Sequence, residues 1–194
     1  MSMNDQTRWD RQHALQGGAE RPAIFLQEIF ASQSWEIPAG PALDIATGKG
    51  RNALFLAERG FTVTGIDVSP LALQEARRNA EKKSLEISWQ HADLEQIQLA
   101  PATYDLIVNI NYLQRSLFSQ IRESLKIGGH IIFETYLIEQ QAIGHPKNPA
   151  YLLAHNELLE RFAGYRVLCY REGKYTESGR PAFRSGLFAQ KTAA

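Results

Sequence analysis

The chain has 194 residues, 44% of them apolar and 22% charged, enough for one domain with a substantial core and too few for two ordinary ones. Its 21 Lys and Arg balance 21 Asp and Glu, and a formal net charge of zero argues against a long nucleic-acid track as partner. A single cysteine excludes an internal disulfide, residues 1–10 hold no apolar signal-peptide core, and no apolar run approaches the ~20 residues of a membrane helix, so a cytoplasmic protein without membrane or nucleic-acid partners is expected.

Residues 9–15 read as a short helix ended by Gly17-Gly18. Residues 21–34 place Ala23, Phe25, Leu26, Ile29 and Phe30 at helical spacing behind Pro22. Gly40-Pro41 breaks the chain before a first strand at 42–46, a helix at 50–59 closed by Gly60, and a β-branched second strand at 61–66 that ends on Asp67. Ser69-Pro70 is an N-cap followed by proline at the first helical position, and the helix reaches Lys82-Lys83. A short third strand at 85–90, an apolar fourth at 104–110, a helix at 117–125 and, past Gly128-Gly129, a fifth strand at 130–133 complete an alternation over residues 42–136. Residues 156–162 form a short helix; 165–171 and 183–190 are two strands joined through Gly173 and Gly179, an antiparallel hairpin at the sheet edge. The expected class is α/β: a Rossmann-like, doubly wound, mostly parallel seven-stranded sheet with a C-terminal antiparallel hairpin and helices on both faces. Residues 1–194 then make a single domain, with 1–20 as an N-terminal cap and 42–136 as the cofactor-binding core.

Chemistry concentrates at the C-terminal ends of these strands, where open α/β sheets bind ligands. In Ala42-Leu43-Asp44-Ile45-Ala46-Thr47-Gly48-Lys49-Gly50 a strand delivers a carboxylate and then a glycine turn ahead of a helix. Gly48 and Gly50 let backbone approach a ligand closely or take positive φ. A dinucleotide would set its pyrophosphate at the helix N-terminus, where Asp44 would repel it. The same carboxylate suits the ammonium of S-adenosylmethionine (AdoMet), which carries no phosphate. Asp67 can accept both ribose hydroxyls, and Asp93-Leu94 can bond an adenine amino group and cover its ring. Asn109, Asn111 and Tyr112 end the fourth strand in polar groups that either face a site or simply close the strand. No His pair has metal-ligand spacing and no metal is expected. His130 reads as a packed or capping residue and Cys169 as a core residue.

Together these residues resemble a class I AdoMet-dependent methyltransferase. The likeness spans about residues 20–190 and rests on Asp44-x-Ala46-x-Gly48-x-Gly50, Asp67, Asp93-Leu94, Gly128-Gly129 and the hairpin. The run Gly50-Arg51-Asn52-Ala53-Leu54-Phe55-Leu56-Ala57-Glu58-Arg59-Gly60 and the pair Trp9-Asp10 are similar to the small tellurite-resistance-type bacterial methyltransferases, and residues 144–153 resemble a motif of close methyltransferase relatives. Ala46 and Thr47 stand where that family has Gly and Cys, His13 where an aromatic is expected, and Asn109 and Asn111 where it has aromatic or His residues. The resemblance implies AdoMet as cofactor and S-adenosylhomocysteine as product, held by Asp44, Ala46, Thr47, Gly48, Gly50, Asn52, Asp67, Val68, Asp93, Leu94 and Asn109. It implies a small-molecule methyl acceptor, such as a soft thiol or a metalloid oxyanion like tellurite. Tyr112 and Arg115 are the candidates for positioning it; Trp9, His13, Glu134, Tyr136 and His145 are candidates for its pocket or lid. An NAD-dependent oxidoreductase and a non-catalytic AdoMet-binding protein remain as alternatives.

Overall fold

The computed structural model describes residues 21–32, 34–177 and 179–193. The expected helix at 9–15 and the candidates Trp9 and His13 lie outside the described residues. Helix α1 (Ile24–Ala31) precedes β1 (Pro41–Ile45), α2 (Arg51–Ala57), β2 (Thr62–Asp67), α3 (Pro70–Lys82), β3 (Ser88–His91), β4 (Tyr104–Ile110), α4 (Leu117–Ser124) and β5 (Leu125–Tyr136). A short α5 (Gln140–Ile143), a 3-10 turn (Pro149–Tyr151) and α6 (Glu157–Arg161) lead to β6 (Arg166–Glu177) and β7 (Arg180–Gln190).

Local chemistry sets the element boundaries. Ser69 caps α3 by accepting from the Ala72 N–H at 3.1 Å, with Pro70 in the first turn. The helix then buries Ala72, Leu73, Ala76 and Ala80, one face of a 3.6-residue repeat. Gly50, at φ 82°, turns the chain into α2.

The seven strands run in the order β3-β2-β1-β4-β5-β7-β6, parallel from β3 through β5 and antiparallel at β7 and β6. Strand order reverses beside β1, so the C-terminal ends of β1 and β4 flank the crevice that such sheets open at their switch point. Alternation along the strands divides the core. Leu43, Ile45, Ile107, Ile131 and Phe133 pack with Phe118 and Phe162 on one face; Ala42, Leu106, Val108, Ile132 and Phe188 pack with Phe25, Leu26 and Phe55 on the other. Phe118 stacks on Phe133 at 5.4 Å and meets Phe162 edge-on at 5.8 Å. Each such buried ring stabilises the fold by about 1.5–3 kcal/mol. Helix α1 is held at both ends of the chain: Asn52 accepts from the Ala23 N–H at 3.0 Å, and Glu28 pairs with Arg171 of β6.

Three boundaries differ from the sequence reading. β5 begins at Leu125 and carries Gly128 inside it at φ 82°, where the chain passes from α4 straight into the strand. β3 starts only at Ser88. β6 and β7 extend to Glu177 and Arg180; past Arg171 they hold each other by ladder bonds, and their mixed composition hides the strand period there. His130 stacks on Phe188 at 5.5 Å, and burial lowers its pKa. Burial likewise pushes the Cys169 thiol up, which leaves it a packing residue.

β3 attaches through Trp89, which lies opposite Gly65 of β2. A Cβ on Gly65 would stand 2.7 Å from the Trp89 ring and 3.1 Å from the Thr47 methyl. Gly65→Ala is expected to cost about 1–3 kcal/mol by overpacking, lowering Tm by roughly 2–10 °C. In a denaturation cycle with Trp89→Leu the two costs should fall short of additivity. A Gly65→Ala protein melting with wild type would refute the contact.

Candidate functional site

β1 carries Asp44 to the switch-point edge, on the α2 side of the sheet. Its Oδ2 accepts from the Thr47 hydroxyl and, at 3.1 Å, from the Ala53 N–H in the first turn of α2. Its Oδ1 is buried and has no hydrogen-bond partner among the described residues. Loss of water is the largest influence on this carboxyl and raises its pKa to about 7; the Thr47 hydroxyl, Arg51 and the Ala53 N–H pull it down, and Asp67 pushes it up. A buried acceptor left open is costly, and a cationic or N–H-bearing ligand group would satisfy it. Thr47 therefore turns its hydroxyl inward to the carboxylate, where the sequence reading set it against the cofactor.

The loop after β1 is wound tightly. Gly48 and Gly50 take φ 56° and 82°, and Ala46 takes φ 52°, a left-handed geometry that costs a residue with a Cβ about 1–2 kcal/mol. Position 46 thus has the backbone that glycine serves in the related family. Asp67 stitches this loop to the next: Oδ2 accepts from the Gly48 N–H at 2.7 Å, Oδ1 from the Ser69 N–H at 2.9 Å. Val68 offers its carbonyl to the His91 ring at 3.0 Å. Asn52 spends its Oδ1 on α1, so that oxygen is a structural strut.

Loops after β3 and β4 form the neighbouring walls. Asp93 orders its own turn by accepting from the Glu95 N–H at 2.9 Å and Gln96 Nε2 at 3.2 Å. Leu94 is 3% exposed and packs in the core with Ile45 and Ile66, so little of it is left to cover a ring. Asn109 closes the β4 turn by donating to the Tyr112 carbonyl at 2.7 Å. The Tyr112 hydroxyl donates to Gln114. Burial first, then the charges of Glu95, Asp93 and Asp67, push its pKa far up, which places this phenol beside the carboxylates.

At the end of β5 the candidates are engaged in the fold. Glu134, 2% exposed, is paired with Arg171. Tyr136 lies under the Arg184 guanidinium at 4.0 Å, and Arg184 donates to Asn111, itself at φ 61°. Arg115 grips both oxygens of Glu157 at 2.8 Å and donates to the carbonyls of Ala150 and Leu152 at 3.0 and 2.8 Å. Its donors thus bind α6 and the loop that precedes it, where the sequence reading set them on a methyl acceptor. His145 is exposed on that loop, which leaves at Leu137 and returns to pair at Leu153. Gln114, Arg171 and Arg184 escaped sequence reading, since single polar residues near strand ends look like surface. Among the described residues no group of three His, Cys, Asp or Glu could hold a metal ion, and no helix is long and apolar enough to cross a membrane.

Residues 42–129 match the family model described as Methyltransferase domain. Among curated proteins, the ubiquinone biosynthesis O-methyltransferase of Idiomarina loihiensis is 30% identical over 99 residues, covering 48% of this chain and 41% of that protein. Its counterpart in Coxiella burnetii is 29% identical over 111 residues, covering 55% and 47%. The chain thus spans less than half the length of these relatives. Among solved structures, TehB from Haemophilus influenzae superposes with a TM-score of 0.75 at 23% identity, covering 90% of this chain and 64% of that one. An S-adenosylmethionine dependent methyltransferase from Mesorhizobium loti gives 0.67 at 19%, covering 87% and 99%. The mostly parallel sheet with its terminal hairpin is the fold of these proteins.

Two expectations follow. A carboxyl whose pKa rises on folding adds stability below its unfolded pKa of 3.8 and loses it as pH rises through about 7. The stability of wild type relative to Asp44→Asn should therefore fall between pH 5 and pH 7, by up to about 1.4 kcal/mol per pH unit, and level off above. Denaturant midpoints across that range check it; parallel curves would refute the raised pKa. Arg115→Ala, which strands the buried Glu157 carboxylate, should cost about 2 kcal/mol of stability. An unchanged midpoint would return Arg115 to the ligand side.

Proposed function

We propose that this chain, whose residues 42–129 form a methyltransferase domain on the class I fold, transfers a methyl group from AdoMet to a small-molecule acceptor and leaves S-adenosylhomocysteine as product. The observation that carries the reading is the partnerless, buried Oδ1 of Asp44 at the switch-point edge. An ammonium suits it; a pyrophosphate beside it would be repelled, which weighs against the NAD-dependent alternative.

The other residues fit the same cofactor. Gly48 and Gly50 expose backbone where a ligand comes close. Asp67, fixed at the end of β2 by the Gly48 and Ser69 N–H groups, is the carboxylate assigned to the ribose hydroxyls. Asp93 follows β3 at the same sheet edge, in a turn that its own carboxylate orders. Bound AdoMet supplies an activated methyl carbon together with its leaving group.

The protein's own contribution is alignment, worth on the order of 7–11 kcal/mol when reacting atoms are well placed. Tyr112 stays a neutral phenol at physiological pH, so it orients by hydrogen bonding and does not take a proton. That arrangement favours an acceptor that is already nucleophilic, a thiolate or a metalloid oxyanion such as tellurite, over an alcohol that needs a base. Tyr136 and His145 border the acceptor side, with Glu134 behind them in its ion pair with Arg171. The loop from 144 to 149 closes over the bound pair. That loop belongs to the excursion that leaves the sheet at Leu137 and returns to pair at Leu153. A closed site keeps competing water from the methyl carbon.

S-adenosylhomocysteine at 100 times its dissociation constant should add about 2.7 kcal/mol of stability, read as a rise in Tm that NADH does not produce. Hydrogen exchange on the same complex should show protection spreading from the Gly48 loop to residues 144–149. An NADH shift with none from S-adenosylhomocysteine would overturn the cofactor; protection confined to the Gly48 loop would overturn the lid. Binding without turnover on any thiol or oxyanion acceptor would favour the non-catalytic alternative.

A further inference from the structure

Gln114 ties the loop after β4 to the loop after β3. Its Oε1 accepts from the Tyr112 hydroxyl, and its Nε2 donates to the Leu94 carbonyl at 3.2 Å and to Ser116 Oγ at 2.9 Å. The half-buried amide therefore uses both ends, spanning 20 residues of chain between Leu94 and itself. Leu94 directly follows Asp93, whose carboxylate is oriented within its own turn by the Glu95 N–H and Gln96. Local bonds thus set where that carboxylate points relative to its turn, and the Gln114 amide sets where the turn lies relative to Tyr112. The Gln114 bonds to Tyr112 and to Leu94 thus bring the two loops side by side.

We infer that Gln114 is a positioning residue that fixes the width of the slot between these walls and thereby the selectivity for an amino-bearing purine. The inference rests on the AdoMet reading above. A purine in this slot offers its exocyclic amine to Asp93 and its flat face to the opposite wall. With the amide replaced, the Tyr112 hydroxyl and the Leu94 carbonyl lose their partner, the β3 loop is no longer held at that distance, and the carboxylate no longer meets the amine squarely. A site built to accept a bond from a substrate N–H rejects an analogue lacking it far better than a loosened one.

The probe is a pair of ligands, S-adenosylhomocysteine and S-inosylhomocysteine, which differ by an amine exchanged for an oxo group. Calorimetry on the wild-type chain should show a preference for the adenosine ligand of about 10–100-fold, the worth of one charged hydrogen bond. Gln114→Met, of similar length, should narrow that preference to within about threefold while Tm without ligand moves by only a few degrees. Gln114→Glu, which keeps an acceptor for Tyr112 but gives Leu94 no donor, should narrow it as well and provides the readout if the Met protein does not fold. Equal weakening toward both ligands in either variant would show a merely structural tie and overturn the inference. An unchanged ratio would do the same. A wild type that binds the adenosine ligand without preference overturns the slot alone, whereas one that binds neither nucleoside overturns the AdoMet reading beneath it.

Discussion

A carboxylate taken out of water must be answered by its surroundings, and the β1–α2 junction is built around answering Asp44. The Thr47 hydroxyl and the Ala53 N–H reach one oxygen from opposite sides of the turn. For both to arrive, the chain doubles back within a few residues, through left-handed geometry at Ala46, Gly48 and Gly50. The turn in turn places the Gly48 N–H on Asp67, and Asp67 holds the start of the next βα loop through Ser69. One buried carboxyl thus organises two successive loops while its second oxygen is left buried without a partner among the described residues.

These features were legible because each has a local signature. Asp44 and Asp67 close apolar runs, the glycines mark the turn, and Ser69-Pro70 marks a helix start that the structure realises with Ser69 as N-cap. The alternation of strand and helix was enough to read the parallel sheet and its reversed final strands. What the sequence concealed depends on partners far away in the chain. Arg115 reads as a surface cation until Glu157 folds against it 42 residues later. Glu134 reads as a residue facing a ligand, because nothing nearby indicates that Arg171 will neutralise it. Asn52 sits in a motif that suggests a cofactor contact, yet its oxygen holds the start of α1. Hydrophobic period reports which face is buried; it is silent on which polar groups meet across that face.

The polar residues of the strand ends share one division of labour. Arg171 and Arg184, half-buried and buried respectively, lie against aromatic faces as well as polar partners: Arg171 over Phe25 at 4.4 Å and Arg184 over Tyr136 at 4.0 Å. A guanidinium is weakly hydrated and planar, which makes it the cation best suited to such half-apolar settings. These contacts tie β6 and β7 to α1 and to the end of β5.

The fastening of α1 bears on the order of events during synthesis. Phe25 packs where a Cβ on Gly186 would come within 3.1 Å of its ring, and Glu28 pairs with Arg171 across 143 residues of chain. The first described helix to leave the ribosome is therefore among the last to be seated, because the strands that receive it are the final ones translated. Until then its apolar face of Phe25, Leu26 and Ile29 lacks the part of its cover that Phe188 of β7 supplies. Closing so long a loop is slow relative to local helix formation, so the last contacts of α1 form late.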